Sequence, residues 1–341
     1  MKKPFLLLTV FVVLSFFVTI FHLYSRYDKS FRAILQSSFN QNNQLFAKFT
    51  TKTNLQSTST RISTQSPHQI PFHILDQFHI PQYELSANTS VRAEKLLSFS
   101  IGMTIAERHV LYNLISTFDH AMARNNISYF IHSGTLLGSY RHHDLIPWDD
   151  DVDVILSVKY ERVLKKLFKR HYPNYILLST GWRDRLWHRD KNVTKHAGQK
   201  EWLWPFIDIG YYHSNSTHIL ERDESMGEYL QLEKKKVFPL KRRPLYNLSL
   251  PVPHDVPNAL FSTFGAKYLC ECATYQYSHM AEDWVSGAKR APCSLLPWNY
   301  PLVKRKLPNS GKGVLEQLTL NNGTILYEFL NKDEEFVKSR C

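Results

Sequence analysis

The chain has 341 residues and a net charge of +12, from 42 lysines and arginines against 30 aspartates and glutamates. Hydrophobic residues make up 43% of it and aromatic residues 13%, which is enough for a large core and excludes a chain that is disordered throughout. Its basic balance suits a surface that faces anionic headgroups or acidic glycans, and it would also steer a phosphate-bearing substrate toward the protein.

The N-terminus carries a long apolar segment. Residues 5–24, FLLLTVFVVLSFFVTIFHLY, contain no Asp, Glu, Lys or Arg and are long enough to cross a hydrocarbon layer of about 30 Å. A cleaved signal peptide is the alternative, but its apolar region is usually about 7–15 residues long and precedes a small-residue cleavage site, which HLYSRYDKS does not offer. We expect a short cytosolic tail at residues 1–4 and a transmembrane signal anchor at 5–24.

Glycosylation motifs indicate the orientation, because the basic flanks on the two sides of the apolar segment are too similar to do so. Six Asn-x-Ser/Thr sequons follow that segment, at Asn88, Asn126, Asn192, Asn215, Asn247 and Asn322. Together with the anchor they predict a single-pass type II protein of the Golgi or endoplasmic reticulum membrane, with its body in the lumen. A lumenal body argues against nucleic acid as a partner.

The composition changes twice after the anchor. Residues 25–85 lack glycine, are rich in Ser, Thr, Gln and Asn and show no apolar periodicity, so we expect a flexible stem, with a small folded domain as the alternative. Residues 86–341 are expected to form the lumenal domain. A capping box at Thr104–Glu107 predicts a helix that ends near Asn125. Further elements are predicted in chain order as a strand at 127–132, a short helix at 134–141, a strand at 152–156, a helix at 159–172, strands at 175–179 and 204–212, and a helix that begins near Asp255.

Helices that alternate with a few strands in this way predict an α+β or α/β domain. Four cysteines, Cys270, Cys272, Cys293 and Cys341, lie in the last quarter of the chain, where an oxidising lumen would allow two disulfides in any of three connectivities. Pairing Cys270 with Cys272 is geometrically awkward. The alternative is a zinc site of Cys270, Cys272, His279 and Cys293, although Cys-x-Cys is not the usual ligand spacing. Residues 297–341 show no pattern that places them.

An acidic cluster stands out in WDDDVDVIL, residues 148–156. Residues two apart share one face of a strand, so three aspartates point one way and the core residues point the other, namely Asp149, Asp151 and Asp153 against Val152, Val154 and Leu156. Close carboxylates need a strong positive charge, and oxygen ligands suit Mg²⁺ or Mn²⁺. We predict that Asp151 and Asp153 bind a metal ion, that Asp149 supports the loop and that Asp150 faces solvent.

Two further features point to phosphate chemistry. A strand ends at His132 and a helix opens at once on Ser-Gly-Thr, so backbone N–H groups around Gly134 and Thr135 can face a phosphate. Asp208 lies in the apolar strand WPFIDIGYY, where a buried carboxylate is costly unless it is paired. It either completes the metal site, acts as base toward an acceptor hydroxyl, or forms a structural salt bridge.

The segment SGTLLGSYRHHDLIPWDDDVDV closely resembles the signature of the LicD and fukutin-related family, a branch of the nucleotidyltransferase fold. FIDIG and VFPLKRRPLYNLSLPVPHDVPNALFSTFG resemble two later family segments, so the resemblance covers about residues 105–268. It implies a nucleotidyltransferase-like mixed sheet with flanking helices. Thr135 stands where the wider superfamily often has Ser, a change that keeps the hydroxyl.

The resemblance also implies an activity: transfer of a phosphorylated alcohol, such as phosphocholine or ribitol phosphate, from a CDP-activated donor to a glycan hydroxyl of a glycoprotein or glycolipid. By position, Asp151, Asp153 and Asp208 would be the catalytic residues and would hold Mg²⁺ or Mn²⁺. The implied substrate-binding residues are Gly134, Thr135, Arg141, Lys241 and Arg242. Trp148 is expected to pack beside the metal loop.

Two other functions remain open. A type II glycosyltransferase could use Asp-x-Asp to hold a nucleotide sugar, but the upstream Gly-Thr-Leu-Leu-Gly is not expected in such an enzyme. A non-catalytic glycan-binding protein on the same fold is the other alternative, and the presence of Asp151, Asp153 and Asp208 together argues against it.

Overall fold

The computed structural model describes Phe99 and residues 102–222, 231–274, 277–287, 289–298, 300–332 and Glu334, all within the compact unit His68–Cys341. The anchor predicted at 5–24, the stem predicted at 25–85 and the sequon at Asn88 lie outside the described residues. Within the described ranges, no helix is both long and apolar enough to cross a membrane.

Local signals set the helices. Helix α1, Ile105–Arg124, begins with the predicted capping box, in which Thr104 Oγ1 accepts from the Glu107 N–H and the Thr104 N–H donates to Glu107 Oε2 at 2.8 Å. The helix Val256–Phe264, α5, is N-capped by the Asp255 side chain, as its sequence predicts. Between α1 and α5 lie the α-helices α2 Ser133–His142, α3 Glu161–His171 and α4 Lys234–Val237.

A mixed sheet forms the centre of the domain. It consists of β1 Tyr129–Ile131, β2 Val152–Ser157, β3 Tyr175–Ser179, β4 Asp184–His188, β7 Phe206–Ser214, β8 His218–Glu221 and β9 Gln231–Glu233. Its main order is β1-β2-β7-β4-β3, with β8 paired to β7 and β9 paired to β8. Strands β2 and β7 run parallel, and the other paired neighbours run antiparallel. The expected mixed sheet with helices is therefore confirmed.

Smaller ribbons surround this sheet. They are β5 Lys195–His196 with β6 Leu203–Trp204, β10 Lys241–Leu245 with β11 Leu248–Val252, β12 Glu271–Ala273 with β15 Arg290–Pro292, and β13 Tyr277–Ser278 with β14 Asp283–Trp284. Helix α1 contacts β7 and β4, α2 contacts β2, and α3 contacts β3. The predicted core residues Val152, Val154 and Leu156 are all buried, and they anchor β2 in the middle of the domain.

The C-terminal part forms a separate antiparallel sheet of β16 Leu302–Lys306, β17 Val314–Thr319 and β18 Ile325–Asn331. One buried carboxylate joins it to the domain: Glu316 accepts hydrogen bonds from Arg243 at 2.5 Å, from His143 at 2.7 Å and from Arg305 at 2.9 Å. Burial alone would raise the pKa of Glu316, but the two guanidinium groups hold that pKa well below its usual range.

The zinc alternative for the cysteines is wrong. Cys272 forms a disulfide with Cys293, with 5.0 Å between their Cα atoms, and Cys270 is disulfide-bonded as well. Three of the four proposed ligands therefore have no thiolate to offer. The Cys272–Cys293 bond encloses the β13–β14 hairpin, which carries His279.

Candidate active site

Three aspartates meet at one edge of the central sheet. The parallel pairing of β2 with β7 sets Asp153 directly beside Asp208, and Asp151 lies two residues before Asp153. Paired positions on adjacent strands share a face of the sheet. One carboxylate oxygen from each of the three residues lies within 4.8 Å of the other two. The structure thus brings together all three predicted metal ligands.

The cluster concentrates negative charge in a buried place. Burial raises the pKa of Asp153 to about 7; Asp208 adds to the rise, while Arg183 opposes it. Burial and the neighbouring carboxylates also raise the pKa of Asp151 well above its ordinary value. Carboxylates that share a buried site hold protons more tightly because charging one opposes charging the next. The cluster therefore favours binding of a proton or a cation, which reduces the repulsion between the carboxylates.

The residues fit a divalent cation. Asp151 Oδ2 and Asp208 Oδ1 are buried and have no hydrogen-bond partner, which is costly for carboxylate oxygens unless a cation satisfies them. Their side chains are only 3% and 5% exposed. A set of carboxylate oxygens suits a hard ion such as Mg²⁺ or Mn²⁺. Asp151, Asp153 and Asp208 are the residues that would hold it.

The N-terminus of α2 lies against this cluster. A Cβ atom on Gly134 would be 2.5 Å from Asp149 Oδ2 and 3.8 Å from Asp153 Oδ2, so a larger residue here would displace the Asp149 carboxylate. The Thr135 hydroxyl accepts from the Asp153 N–H at 2.8 Å and so ties the helix to β2. The first N–H groups of a helix lack intrahelical partners and favour an anion. Phosphate binding by Gly134 and Thr135 stays a prediction that this position suits.

Asp149 and Asp150 have different surroundings. Asp149 contacts the α2 N-terminus, as a supporting residue should, and burial with the nearby Asp150 raises its pKa to about 7. The prediction that Asp150 faces solvent is wrong, because its side chain is buried under the β13–β14 hairpin. Asp150 accepts from the Met280 N–H at 2.9 Å, from the Ser278 hydroxyl at 3.2 Å and from the His279 N–H at 3.3 Å. Strand alternation gives the face of a residue but not what covers that face.

Two residues that the acidic motif does not contain, Arg183 and His279, also reach the cluster. Arg183 Nη1 lies 3.8 Å from Asp153 Oδ1 and 3.7 Å from Asp208 Oδ2. Arg185 is paired in register with Asp208 on the neighbouring strand β4, but its guanidinium lies 3.8 Å from Glu282 Oε2 and stacks over the Trp202 ring. His279 Nε2 lies 3.3 Å from Asp151 Oδ2. The sequence indicates His279 only as a possible zinc ligand, and no local pattern marks Arg183, which directly precedes β4.

Arg141 is buried beside Trp148 rather than open to solvent. Its side chain is buried, donates from Nε to His142 Nε2 at 3.1 Å, and places its guanidinium carbon 5.6 Å from the centre of the Trp148 ring. Burial lowers the pKa of Arg141 to about 10, against a favourable field from Asp149. Trp148 is buried and donates to the Ala273 carbonyl at 2.9 Å, so its expected packing role is confirmed.

Arg242, on β10, lies away from the acidic cluster. Arg242 forms an ion pair with Asp119 at 2.8 Å, and Asp119 also accepts from the Tyr129 hydroxyl. Asp119 thus lies near the start of β1, where Tyr129 is. Asp153 lies near the opposite end of β1, where its carbonyl accepts from the His132 N–H. The structure therefore does not bring Arg242 to the acidic cluster, while the role of Lys241 as a phosphate contact stays a prediction.

Comparison with known proteins identifies related sequences. The model of the family described as "LicD/FKTN/FKRP, nucleotidyltransferase domain" matches residues 126–255. The lipopolysaccharide cholinephosphotransferase LicD of Haemophilus influenzae is 30% identical over 120 residues, which are 32% of this chain and 44% of that protein. An uncharacterised protein of Rickettsia prowazekii is 50% identical over 150 residues, 42% of this chain and 50% of that protein.

A second uncharacterised protein, from Rickettsia typhi, is 34% identical over 33% of this chain and 38% of its own length. The chain thus spans at most half the length of these three curated relatives. Among solved structures, a lincomycin-bound lincosamide antibiotic adenylyltransferase matches with a TM-score of 0.28 and 10% identity. That match covers 41% of this chain and 78% of the adenylyltransferase, and a similarity this low supports no functional conclusion.

Proposed function

We propose that residues 126–255, which match the model of the LicD/FKTN/FKRP nucleotidyltransferase domain, form a domain of this family and that the chain is a metal-dependent phosphotransferase. The observation that carries the proposal is the acidic cluster beside the N-terminus of α2, with its unpartnered oxygens Asp151 Oδ2 and Asp208 Oδ1. Phosphoryl transfer depends mainly on positioning and on neutralising charge. A bound divalent cation supplies that neutralisation on the transferred group.

Residues of the chain would bind the cation and the donor phosphate and accept the hydroxyl proton. Asp151, Asp153 and Asp208 would hold the cation, and the backbone N–H groups around Gly134 and Thr135 would bind a donor phosphate at the helix N-terminus. In the transfer, the acceptor hydroxyl oxygen bonds to phosphorus, the bond from phosphorus to the leaving nucleotide breaks, and the hydroxyl proton passes to a cluster carboxylate.

The substrates follow from the family. We propose that a phosphorylated alcohol of the phosphocholine or ribitol phosphate type moves from a CDP-activated donor to a glycan hydroxyl on a glycoprotein or glycolipid. The name of the Haemophilus relative, a lipopolysaccharide cholinephosphotransferase, supports this class of reaction. The cation is Mg²⁺ or Mn²⁺, in keeping with the oxygen ligands.

A nucleotide panel tests the donor class. The purified chain is heated with Mg²⁺ and CDP, CMP, UDP or GDP, since a ligand that binds only the native state raises its apparent stability, by about 2.7 kcal/mol at a hundredfold excess over Kd. We expect selective stabilisation by CDP and CMP. Selective stabilisation by UDP would favour the glycosyltransferase alternative and contradict the proposal.

We propose that the domain lies in the lumen of the Golgi or endoplasmic reticulum behind the type II anchor. All five sequon asparagines within the described ranges are exposed, which supports access for glycosylation: Asn126, Asn192, Asn215, Asn247 and Asn322. In eukaryotic cells, removal of N-glycans from the membrane fraction should increase the electrophoretic mobility of the protein. A chain without glycans, or one degraded by protease added outside sealed vesicles, would contradict this location.

A further inference from the structure

His279 lies next to the acidic cluster, close enough to Asp151 for both side chains to bind one metal ion. Its Nε2 lies 3.3 Å from Asp151 Oδ2, an oxygen without a hydrogen-bond partner. Two ligands at adjacent positions around an ion, each about 2.1–2.2 Å from it, lie about 3 Å apart. His279, Asp151 and Asp150 each place one ligand atom within 4.8 Å of the others. The distance between His279 Nε2 and Asp151 Oδ2 is therefore close to that expected for two ligands of one cation.

The His279 ring is held in this orientation by packing. It stands edge-on to the Phe206 ring at 5.6 Å and to the Tyr277 ring at 5.2 Å, measured between ring centres. Its Nδ1 is buried without a hydrogen-bond partner, so aromatic contacts set the ring orientation. Phe206 opens β7, the strand that carries Asp208, so the cluster and the histidine share one support.

The hairpin that carries His279 is held on one side by the loop before β2 and on the other by the loop between β5 and β6. Asp150 takes three hydrogen bonds from residues 278–280. On the other side the Gly198 N–H donates to the Met280 carbonyl at 2.9 Å, and a Cβ on Gly198 would be 2.1 Å from the Ala281 carbonyl oxygen. Because Asp150 and Asp151 are adjacent in the chain, the contact that holds the hairpin also sets His279 opposite Asp151.

We propose that His279 Nε2 is a nitrogen ligand of the cation that Asp151 holds, so that the metal centre has mixed nitrogen and oxygen donors. This inference rests on the proposed metal-dependent function and adds a ligand from a part of the chain outside the acidic motif. Mn²⁺ is a first-row transition ion that can bind at a site with both nitrogen and oxygen ligands, whereas Mg²⁺ is bound through oxygen ligands. The centre therefore favours Mn²⁺ over Mg²⁺. Asp150 is a positioning residue that acts through the hairpin.

Pulsed electron paramagnetic resonance of the Mn²⁺-loaded full chain tests the ligand directly. A tag-free protein in nitrogen-free buffer should show the ¹⁴N modulation of a coordinated imidazole. Labelling the wild-type protein with ¹⁵N-histidine should replace that signal, and this measurement requires no variant that must fold. His279→Gln should lose the signal and bind Mn²⁺ about tenfold or more weakly. His213→Gln, at an exposed position on β7, is the matched control and should keep the signal.

The outcomes separate this inference from the function on which it rests. Mn²⁺ bound to the wild-type protein without histidine nitrogen modulation would overturn the His279 assignment and leave the aspartate centre standing. Modulation that persists in His279→Gln would overturn it as well. A protein that binds no Mn²⁺ at all would overturn the proposed metal-dependent function together with this inference. Asp150→Asn should weaken Mn²⁺ binding about tenfold while some nitrogen modulation remains.

Discussion

Asp153 and Asp208 stand side by side on the parallel strands β2 and β7, the one parallel pair of the central sheet within the described ranges. With Asp151 they bring three carboxylates into a buried space, and the guanidinium of Arg183 lies within 4 Å of two of them. This crowding destabilises the metal-free domain unless protons or a cation reduce the charge. The relationship links the metal dependence, the pH dependence and the stability of the domain.

Removal of the carboxylates should abolish metal-induced stabilisation without unfolding the domain. The double variant Asp151→Asn with Asp153→Asn loses metal affinity and also loses mutual repulsion, so the metal-free variant should melt no lower than the metal-free wild type. Thermal unfolding with and without Mn²⁺ measures both effects. Asp190→Asn, outside the cluster, is the control and should behave as wild type. A full Mn²⁺ shift in the double variant would show that the metal binds elsewhere.

Metal binding should depend on pH near neutrality. The pKa of Asp153 is raised from 3.8 to about 7 in the folded domain, so the folded state binds more protons than the unfolded state between these values. The metal-free domain therefore loses stability as pH rises from about 4 to 7. Below pH 7 a cation must displace a proton, so the Mn²⁺-induced rise in Tm should be larger at pH 8 than at pH 6. Equal shifts at the two pH values would contradict the raised pKa.

The disulfide should support both stability and the position of His279. Cys272 and Cys293 are 21 residues apart, and closing a loop of that length stabilises a domain by about 3 kcal/mol. Cys272→Ser with Cys293→Ser should lower the free energy of unfolding by about that amount and weaken Mn²⁺ binding, because the hairpin lies inside the loop. Denaturant titration and Mn²⁺ titration measure the two effects. Unchanged Mn²⁺ affinity would show that Asp150 and Gly198 hold the hairpin without the disulfide.

Glu316 should be among the most sensitive positions for stability. Glu316→Gln leaves Arg243 and Arg305 without their buried counter-charge, which should cost about 3–5 kcal/mol. The pKa of Glu316 is lowered in the folded state, so its contribution is complete above the unfolded pKa of 4.5 and is lost as pH falls below that value. Urea unfolding at pH 7 and pH 4 should show a smaller difference between wild type and variant at pH 4. Glu201→Gln, on the surface, is the control, and an equally small loss in both variants would contradict the assignment.

Local patterns were sufficient for much of the domain. The capping box at Thr104 and the apolar spacing behind it predict α1, and period-two alternation in residues 149–156 places Asp151 and Asp153 on one face. Asp208 could be predicted because an isolated carboxylate in an apolar strand needs a partner. These signals depend on neighbouring residues in the chain, and the sequence displays them directly.

Contacts between distant segments could not be read in this way. Asp150 is covered by a hairpin about 130 positions later, so its alternation with Asp151 gave the wrong environment. His279 and Arg183 reach the cluster through folding of the hairpin and register of β4, which no spacing in the chain reveals. Arg242 was expected at the site from its charge and its motif, but its ion pair with Asp119 lies elsewhere. Residue types thus predicted the chemistry of the site better than they predicted which residues form it.

The most direct test of the central claim is CMP release from CDP-activated alcohols. The purified chain is incubated with CDP-choline or CDP-ribitol, Mn²⁺ or Mg²⁺ and glycan acceptors, and CMP is quantified for wild type, Asp153→Asn and Asp190→Asn. We predict metal-dependent release by wild type and Asp190→Asn, reduced about 1000-fold or more in Asp153→Asn, as expected when charge neutralisation worth several kcal/mol is lost. Equal release by wild type and Asp153→Asn, or equal release after chelation of the metal, would contradict the account.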